Sequence, residues 1–312
     1  MALDLTRRGF VSAAAGLSAL APAYVRAQDR PAPLAHEPFT FLFITDTHLE
    51  PELNAQQGSA RAFQAASRIG GDFAIQGGDH VFDALGVTRS RAVDLISLYT
   101  RTEQDLGMKV RHTIGNHDLF GIYAKSGAAP TDPLYGKKYF EDQFGALYYS
   151  FDHRGVHFVV LDSIGITADH DYEGRVDAAQ LAWLSADLKR LAPDAPVVVI
   201  SHVPLASAFG SYAPQSDAVH TSKTLGKYTV VNAYEVIATL APYNVLGVLQ
   251  GHLHINETVT WRGIPFMTRG AVCGNWWRGD RYGTPEGFTV VRVENGQLTT
   301  RYETYGFRAT TA

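Results

Sequence analysis

Five short polar clusters carry residue types and spacings that can do chemistry: Asp46-Thr47-His48, Gly78-Asp79, Gly115-Asn116-His117-Asp118, Ser201-His202 and Gly251-His252-Leu253-His254. The carboxylates of Asp46 and Asp79, the amide of Asn116 and the imidazoles of His48, His202, His252 and His254 make seven nitrogen and oxygen donors. That is more than one tetrahedral zinc takes. It suits two ions sharing a carboxylate, typically ~3.5–4 Å apart. None of the clusters carries a thiol, so soft-metal and iron–sulfur chemistry is disfavoured, while imidazole plus carboxylate suits Zn, Fe or Mn. Taken singly, each cluster reads as a turn or a strand end. The set, in this order, points to a metal centre. His36, His112, His153, His157, His170 and His220 lack such company and read as surface or core residues, whereas His80, next to Asp79, falls at the rim of the site.

Each cluster follows a short apolar run. Phe39–Ile44, Phe73–Ile75, Val110–Ile114, Val197–Ile200 and Val245–Leu249 read as buried strands. Leu147–Phe151 and Val156–Leu161 form a hairpin around Arg154-Gly155. Helical patterns occupy Ser59–Ile69, Thr88–Met108 and Asp177–Leu191. From Thr258 onward strands alternate with glycine turns, and no helix is expected. Alternating strands and helices with a β-rich tail make an α/β protein. In open α/β sheets ligand sites lie beyond the carboxyl ends of strands, which is where all five clusters fall.

The 312 residues carry 27 Lys+Arg against 31 Asp+Glu, for a formal charge of −4. No basic excess argues for nucleic acid as a partner. An apolar share of 46% excludes a disordered chain, and the single cysteine, Cys273, cannot form an internal disulfide; it reads as a small core residue. Residues 1–27 read as a signal peptide. Arg7-Arg8-Gly9-Phe10, an Ala-rich apolar run from Val11 to Ala23 and a cleavage-type end at Val25-Arg26-Ala27 resemble the twin-arginine export signal. The run is shorter than a bilayer span needs, so no stable membrane anchor is expected. The expected partner is the twin-arginine export machinery, and the expected location periplasmic or secreted. Residues 28–38 are a Pro-rich linker, and residues 39–312 are read as the catalytic domain, with 258–312 as its β-rich C-terminal part.

The ordered set of clusters, over residues 40 to 255, resembles the signature of the calcineurin-like metallophosphoesterases. The resemblance implies a four-layer α/β/β/α sandwich and two divalent or mixed-valence ions (Fe, Mn or Zn). It places Asp46, His48 and His254 on the first ion and Asn116, His202 and His252 on the second, with Asp79 bridging. It places His117 off the metals, as proton donor to the leaving group, with hydroxide generated between the ions as nucleophile. Purple acid phosphatases, a branch of the family, carry a Tyr three residues after the bridging Asp. Here that residue is Phe82, so no purple colour and no obligatory Fe(III) is expected. Other members place at the same position an Asp that supports the catalytic His; here Asp83 or Asp118 would take that role.

The tail also resembles secreted bacterial members in Gly270–Trp277 and Gly283–Phe288. One reading puts Asn275, Trp276 or Arg278, with Asn116 and His117, on the substrate. The competing and favoured reading packs the Trp276-Trp277 pair at the edge of the sandwich. The irregular Gly121–Gly145 stretch, with Tyr123, Lys125, Tyr135, Lys137 and Lys138, is either a cap over the site or a solvated loop. The expected activity is hydrolysis of small phosphate esters, mono- or diester. A cyclic-nucleotide phosphodiesterase is the first alternative, and a non-catalytic metal-binding or interaction protein on the same fold is the second.

Overall fold

In β1 (Phe39–Ile44) every residue but one is buried, and alternate residues serve opposite cores. Phe39, Phe41 and Phe43 face one apolar layer while Leu42 and Ile44 face another. That is the period of two of a strand covered on both faces. This chain is described by a computed structural model over residues 37–214 and 225–309. The expected signal at 1–27, most of the 28–38 linker, His36 and His220 lie outside the described residues.

The further strands are β2 (Ala74–Gln76), β3 (Val110–His112), β4 (Tyr149–His153), β5 (Val156–Val160), β6 (Ile164–Ile166), β7 (Tyr172–Gly174), β8 (Pro196–Ser201), β9 (Asn244–Gln250), β10 (Glu257–Trp261), β11 (Ile264–Thr268), β12 (Gly287–Glu294) and β13 (Gln297–Thr304). The helices are α1 (Ala55–Ile69), α2 (Arg89–Glu103), α3 (Lys138–Phe144), α4 (Ala178–Leu188), α5 (Phe209–Tyr212), α6 (Leu225–Tyr228) and α7 (Ala233–Leu240). One sheet runs β13-β12-β1-β2-β3, the other β10-β11-β9-β8-β5-β4, and β6 and β7 form a separate hairpin. Within them β1, β2 and β3 are mutually parallel, as are β5, β8, β9 and β11.

Three apolar clusters account for the layers. Phe41, Phe43, Phe73, Phe158, Val198 and Ile200 fill the space between the two sheets. Phe63, Ala66, Leu95 and Tyr99 bring α1 and α2 onto the outer face of the first sheet. Leu184, Leu188, Val236 and Leu240 bring α4 and α7 onto the outer face of the second. The result is the expected four-layer α/β/β/α sandwich with a β-rich C-terminal part.

Boundaries differ in places. α1 begins at Ala55, four residues before the expected start, after Leu53 and Asn54, which both have positive φ. α2 starts on its Thr88 cap, whose side chain accepts from Arg91 N, but becomes a 3₁₀ turn at Gln104–Leu106 and stops at Gly107, φ 61°. Of the expected irregular stretch 121–145, Lys138–Phe144 is helical. The β6–β7 hairpin and helices α5, α6 and α7 were not anticipated: their apolar runs are short and no motif marks them.

Candidate metal centre

The loops after β1, β2, β3, β8 and β9 meet at one end of the two sheets. Asp46, His48, Asp79, His252 and His254 have φ of 54°, 42°, 55°, 71° and 58°, in the left-handed region. Each such residue costs on the order of 1–3 kcal/mol and persists only where its surroundings enforce it. Here the loops brace one another. Asp46 N donates to Gly78 O at 3.0 Å, His48 N to Asp79 O at 3.0 Å, Gly251 N to His202 O at 3.1 Å and Cys273 N to Asp46 O at 3.2 Å. Two glycines let the loops close this tightly. A Cβ at Gly78 would stand 2.3 Å from His202 Nδ1, and one at Gly115 would stand 2.2 Å from Asp79 Oδ1.

The seven expected ligands converge. Asp79 Oδ2 lies 3.4 Å from His48 Nε2 and 3.2 Å from His202 Nε2, between the two halves of the set. On one side His48 Nε2 and His254 Nε2 are 3.2 Å apart, and Asp46 Oδ1 is 3.3 Å from His254 Nε2 and 3.9 Å from His48 Nε2. On the other side His202 Nε2 is 3.3 Å from Asn116 Oδ1, and a ligand atom of His252 lies within 4.8 Å of those of Asp79 and His202. Asp46, His48, Asp79, Asn116, His202 and His254 are all at most 1% exposed.

The donor set fits metal ions on three counts. First, three imidazoles have one ring nitrogen committed to a backbone carbonyl. His202 Nδ1 donates to Gly77 O at 2.8 Å, His254 Nδ1 to Gly274 O at 2.6 Å, and His252 Nε2 to Lys227 O at 2.5 Å. In a neutral ring this fixes the tautomer and turns the other nitrogen's lone pair toward the cluster, the usual arrangement behind metal-ligating histidines. Second, Nε2 of the buried His48 and Nε2 of the buried His254 stand 3.2 Å apart and both face Asp46 Oδ1, so that donor atoms converge on one point. Third, burial opposes charge on both carboxylates and His202, yet the charges hold one another. His254 and His202 bring Asp46 down to about 2, and Asp79 raises His202 to about 9. Such a cluster calls for positive charge, which bound cations supply.

Cys273 lies close to this set, within a geometric group with His48 and His254. Its Sγ, however, is 3.7 Å from His254 Nδ1, the nitrogen committed to Gly274 O, and so stands behind the ring rather than on the ligand side. Burial raises the thiol well above its ordinary range. It packs the back of the His254 ring, as a small core residue does.

His117 is half-buried beside the cluster, its ring centroid 4.6 Å from that of His48. Its backbone N donates to Asp79 Oδ1 at 2.8 Å, and its ring Nδ1 donates to the carbonyl of Phe82. Here the structure departs from expectation: neither Asp83 nor Asp118 holds the His117 ring. Asp83 Oδ1 caps its own turn, accepting from Leu85 N and Gly86 N at 2.8 and 3.3 Å. Asp118 turns inward and accepts from Asp79 N, His80 N and Gly115 N at 3.1, 2.9 and 2.9 Å. The physical reason is the turn between Gly115 and Leu119, which aims Asp118 at the β2 loop while the backbone of Phe82 occupies the place beside the ring.

His80 is not at the rim. It is fully buried, with Nδ1 2.9 Å from Asp118 Oδ2, and its ring stacks on Phe144 at 4.5 Å. His153 and His157 pair with Asp72 and with Asp152 and Asp187, His112 lies against His80, and His170 meets Tyr135 Oη, so none of these adds to the cluster.

A cleft of 330 Å³ opens over the cluster, lined by His48, Asp79, Asn116, His117, His252 and His254 and walled by Tyr123, Asp171, Tyr172, Lys227, Tyr228, Leu253, Trp276 and Arg281. Of the tail residues named for substrate, Trp276 lines it; Asn275 and Arg278 do not. The two tryptophans divide the roles. The Trp276 ring lies 4.8 Å from His254, with the Arg281 guanidinium 4.9 Å from its centroid. Trp277 is buried in the core, and its Nε1 donates to His48 O at 3.0 Å. Tyr123 brings the 121–145 stretch to the cleft, and its hydroxyl donates to Asp171 Oδ1 at 3.0 Å. Lys227 sits over the Tyr172 ring at 3.8 Å and pairs with Asp171. Asp171, Tyr172, Lys227, Tyr228 and Arg281 carry no spacing signal in the sequence; only folding brings them here.

The tryptophans make a paired prediction. Trp277→Ala is expected to destabilise the protein by about 3–5 kcal/mol, whereas Trp276→Ala is expected to leave stability within about 1 kcal/mol and to raise KM. Thermal unfolding beside steady-state kinetics separates them, and equal loss of stability in both would refute the division.

A family model described as calcineurin-like phosphoesterase matches residues 39–256. A cAMP/cGMP dual specificity phosphodiesterase of Mycobacterium tuberculosis is 27% identical over 119 residues, 38% of this chain and 32% of that protein. The aligned part therefore spans about a third of that relative's length. A dimetal phosphatase from Danio rerio superposes with a TM-score of 0.58 at 16% identity, over 85% of this chain and 99% of that one. The purple acid phosphatase PPD1 from yellow lupin (Lupinus luteus) seeds has a TM-score of 0.58 at 12% identity, over 90% and 54%. At these identities the two solved structures share the fold.

Proposed function

The chain belongs to the calcineurin-like phosphoesterase family, and from that premise we propose that it is a metal-dependent hydrolase of small phosphate esters. The observation that carries this reading is Asp79 Oδ2, seated between His48 Nε2 and His202 Nε2 at 3.4 and 3.2 Å. In the proposed arrangement Asp46, His48 and His254 hold one ion, Asn116, His202 and His252 hold the other, and Asp79 belongs to both. Bound there, two cations would supply the positive charge for the phosphate oxygens and lower the pKa of a shared water.

His117 then works at a stated atom. Its Nδ1–H is committed to the Phe82 carbonyl, so Nε2 is the nitrogen left for the leaving oxygen. In its protonated form it gives that proton as the ester bond breaks. A carbonyl accepts from Nδ1 in both protonation states, so orientation survives the transfer. The backbone bond from His117 N to Asp79 Oδ1 ties the proton donor to the bridging carboxylate.

The cleft of 330 Å³ favours a small organophosphate or a mononucleotide over a polymer. The phosphodiesterase relative adds cyclic nucleotides to the substrates to be tried. The twin-arginine-type sequence at residues 1–27 favours work on organophosphates outside the cytoplasm.

The test strips the metals, restores Mn, Zn, Fe, Co or Ca singly, and assays p-nitrophenyl phosphate beside bis-p-nitrophenyl phosphate. Turnover restored by a transition metal is the expected result, and the ratio of the two rates assigns monoesterase or diesterase. Two ions bound per chain with no turnover of either ester or of a cyclic nucleotide would favour the non-catalytic reading.

A further inference from the structure

Trp276 stands half-buried in the cleft wall with its backbone at φ 49°. A bulky side chain in the left-handed region is an outlier, and it persists only where its surroundings enforce it. Here the surroundings are the loops that carry the cluster. Cys273 N donates to Asp46 O at 3.2 Å, Gly274 O accepts from His254 Nδ1 at 2.6 Å, and the buried Trp277 donates its indole N–H to His48 O at 3.0 Å. Within the turn, Asn275 N donates to Gly279 O at 2.8 Å and Trp277 N to Cys273 O at 2.7 Å. The Arg281 guanidinium lies 4.9 Å from the Trp276 ring centroid and 4.7 Å from that of Tyr282. The Trp276 ring is thus held against the His48–His254 half of the cluster, 6.1 and 4.8 Å from those two rings. A ring held in place before a ligand arrives loses little freedom on contact.

His117 stands at the same half. Its ring centroid is 4.6 Å from that of His48, so His117 and Trp276 flank one imidazole. In the reading above the leaving oxygen takes its proton from His117, and the group attached to that oxygen therefore lies on this side of the cleft. The His252 half is of different make. There Tyr172 lies 6.4 Å from His252, Lys227 covers the Tyr172 ring at 3.8 Å and pairs with Asp171, and Asp171 also accepts from Tyr123 Oη. Among the described residues lining the cleft, Leu253 is the one aliphatic side chain, whereas Tyr123, Tyr172, Tyr228 and Trp276 bring aromatic rings.

We propose that Trp276 is a specificity-determining residue: it is the platform for a planar aromatic leaving group, a nucleobase or an aryl ring, while His117 faces the leaving oxygen. The proposal rests on the phosphoesterase reading and on His117 as proton donor. An aliphatic leaving group can fill the same space but has no π-face to lay against the indole.

Two measurements test this. In the metal-loaded protein, kcat/KM is compared within two substrate pairs: adenosine 5′-monophosphate against ribose 5-phosphate, and phenyl phosphate against cyclohexyl phosphate. The first pair shares its leaving oxygen and differs in the base. In the second, the difference in leaving-group acidity cancels when parent and variant are compared. The parent's preference for the ring-bearing member is expected to fall about fivefold or more in Trp276→Ala and to stay within about twofold in Trp276→Phe. A fall in the first pair alone assigns a nucleobase, and a fall in the second an aryl ring. An unchanged preference in Trp276→Ala for both pairs, or an equal fall in Trp276→Phe, would overturn the proposal.

The second measurement needs neither metal nor turnover. The full chain without metal is titrated with adenosine, with phenol and with ribose, and the indole N–H resonances of its four tryptophans are followed. The resonance missing from Trp276→Phe is that of Trp276. It is expected to move with adenosine or phenol and to stay still with ribose. A resonance that stays still with both rings, or moves equally with ribose, would overturn the platform even in an active enzyme. One that moves as expected in a protein that hydrolyses no phosphate ester would keep the platform and sink the phosphoesterase reading.

Discussion

Asp79→Ala is expected to release both metal ions and to lower turnover by about 10³-fold or more, the scale of several kcal/mol of lost charge stabilisation. Three features set that size. Asp79 Oδ2 faces ring nitrogens of both halves of the cluster, His48 at 3.4 Å and His202 at 3.2 Å. Its Oδ1 holds the backbone of His117. Its charge also offsets the cost of burying the His202 ring, raising that group to about 9. In the proposed arrangement one substitution thus removes a shared ligand, loosens the proton donor and leaves His202 with less counter-charge. Metal analysis of the purified variant is the check. Two ions per chain, bound as tightly as in the parent protein, would refute the bridging role. Asp79→Asn serves as a companion, because it keeps the volume and the bond from His117 while removing the charge.

His117→Ala carries the second large effect: a fall in kcat of about 10²–10⁴-fold with metal content unchanged. The ring is half-buried beside His48 and is held by the Phe82 carbonyl rather than by a carboxylate. From this follows a sharper outcome. Asp83→Asn is expected to leave kcat within about twofold, since Asp83 caps Leu85 and Gly86 and does not hold the ring. A drop at Asp83 as large as that at His117 would mean that this carboxylate works through the ring after all. Loss of metal in His117→Ala would instead make His117 a ligand, a role that its proximity to His48 and Asp79 makes worth measuring.

The parts of this protein legible in the linear chain are those written in local pattern. Five apolar runs ending in Asp, Asn and His mark strands whose ends carry polar clusters, because a strand buried on both faces excludes polar residues until it leaves the sheet. The seven donors follow from that pattern, and so does the four-layer architecture once the family resemblance is seen. The departures from expectation occur where pairing across the fold decides. Asp83, Asp118 and Phe82 lie close together in sequence, yet one caps a turn, one turns into the core and one offers only its backbone to His117. Nothing in residue type says which, since all three outcomes depend on where the β2 and β3 loops sit against each other. Trp276 and Trp277 are adjacent and chemically alike; one lines the cleft and the other is buried in the core.

The sequence alone therefore determined the donor types, their order along the chain and the presence of a further histidine, His117, between Asn116 and Asp118. The tertiary structure alone decided the orientation of those groups. It placed His117 on a carbonyl, His80 and His112 behind Asp118, and Lys227 and Arg281 in the cleft wall. Ligand identity is a local property of a strand end. Orientation and pocket shape depend on contacts between segments far apart in the chain, as between Tyr172, Lys227 and Arg281, and such contacts exist only once the chain has folded.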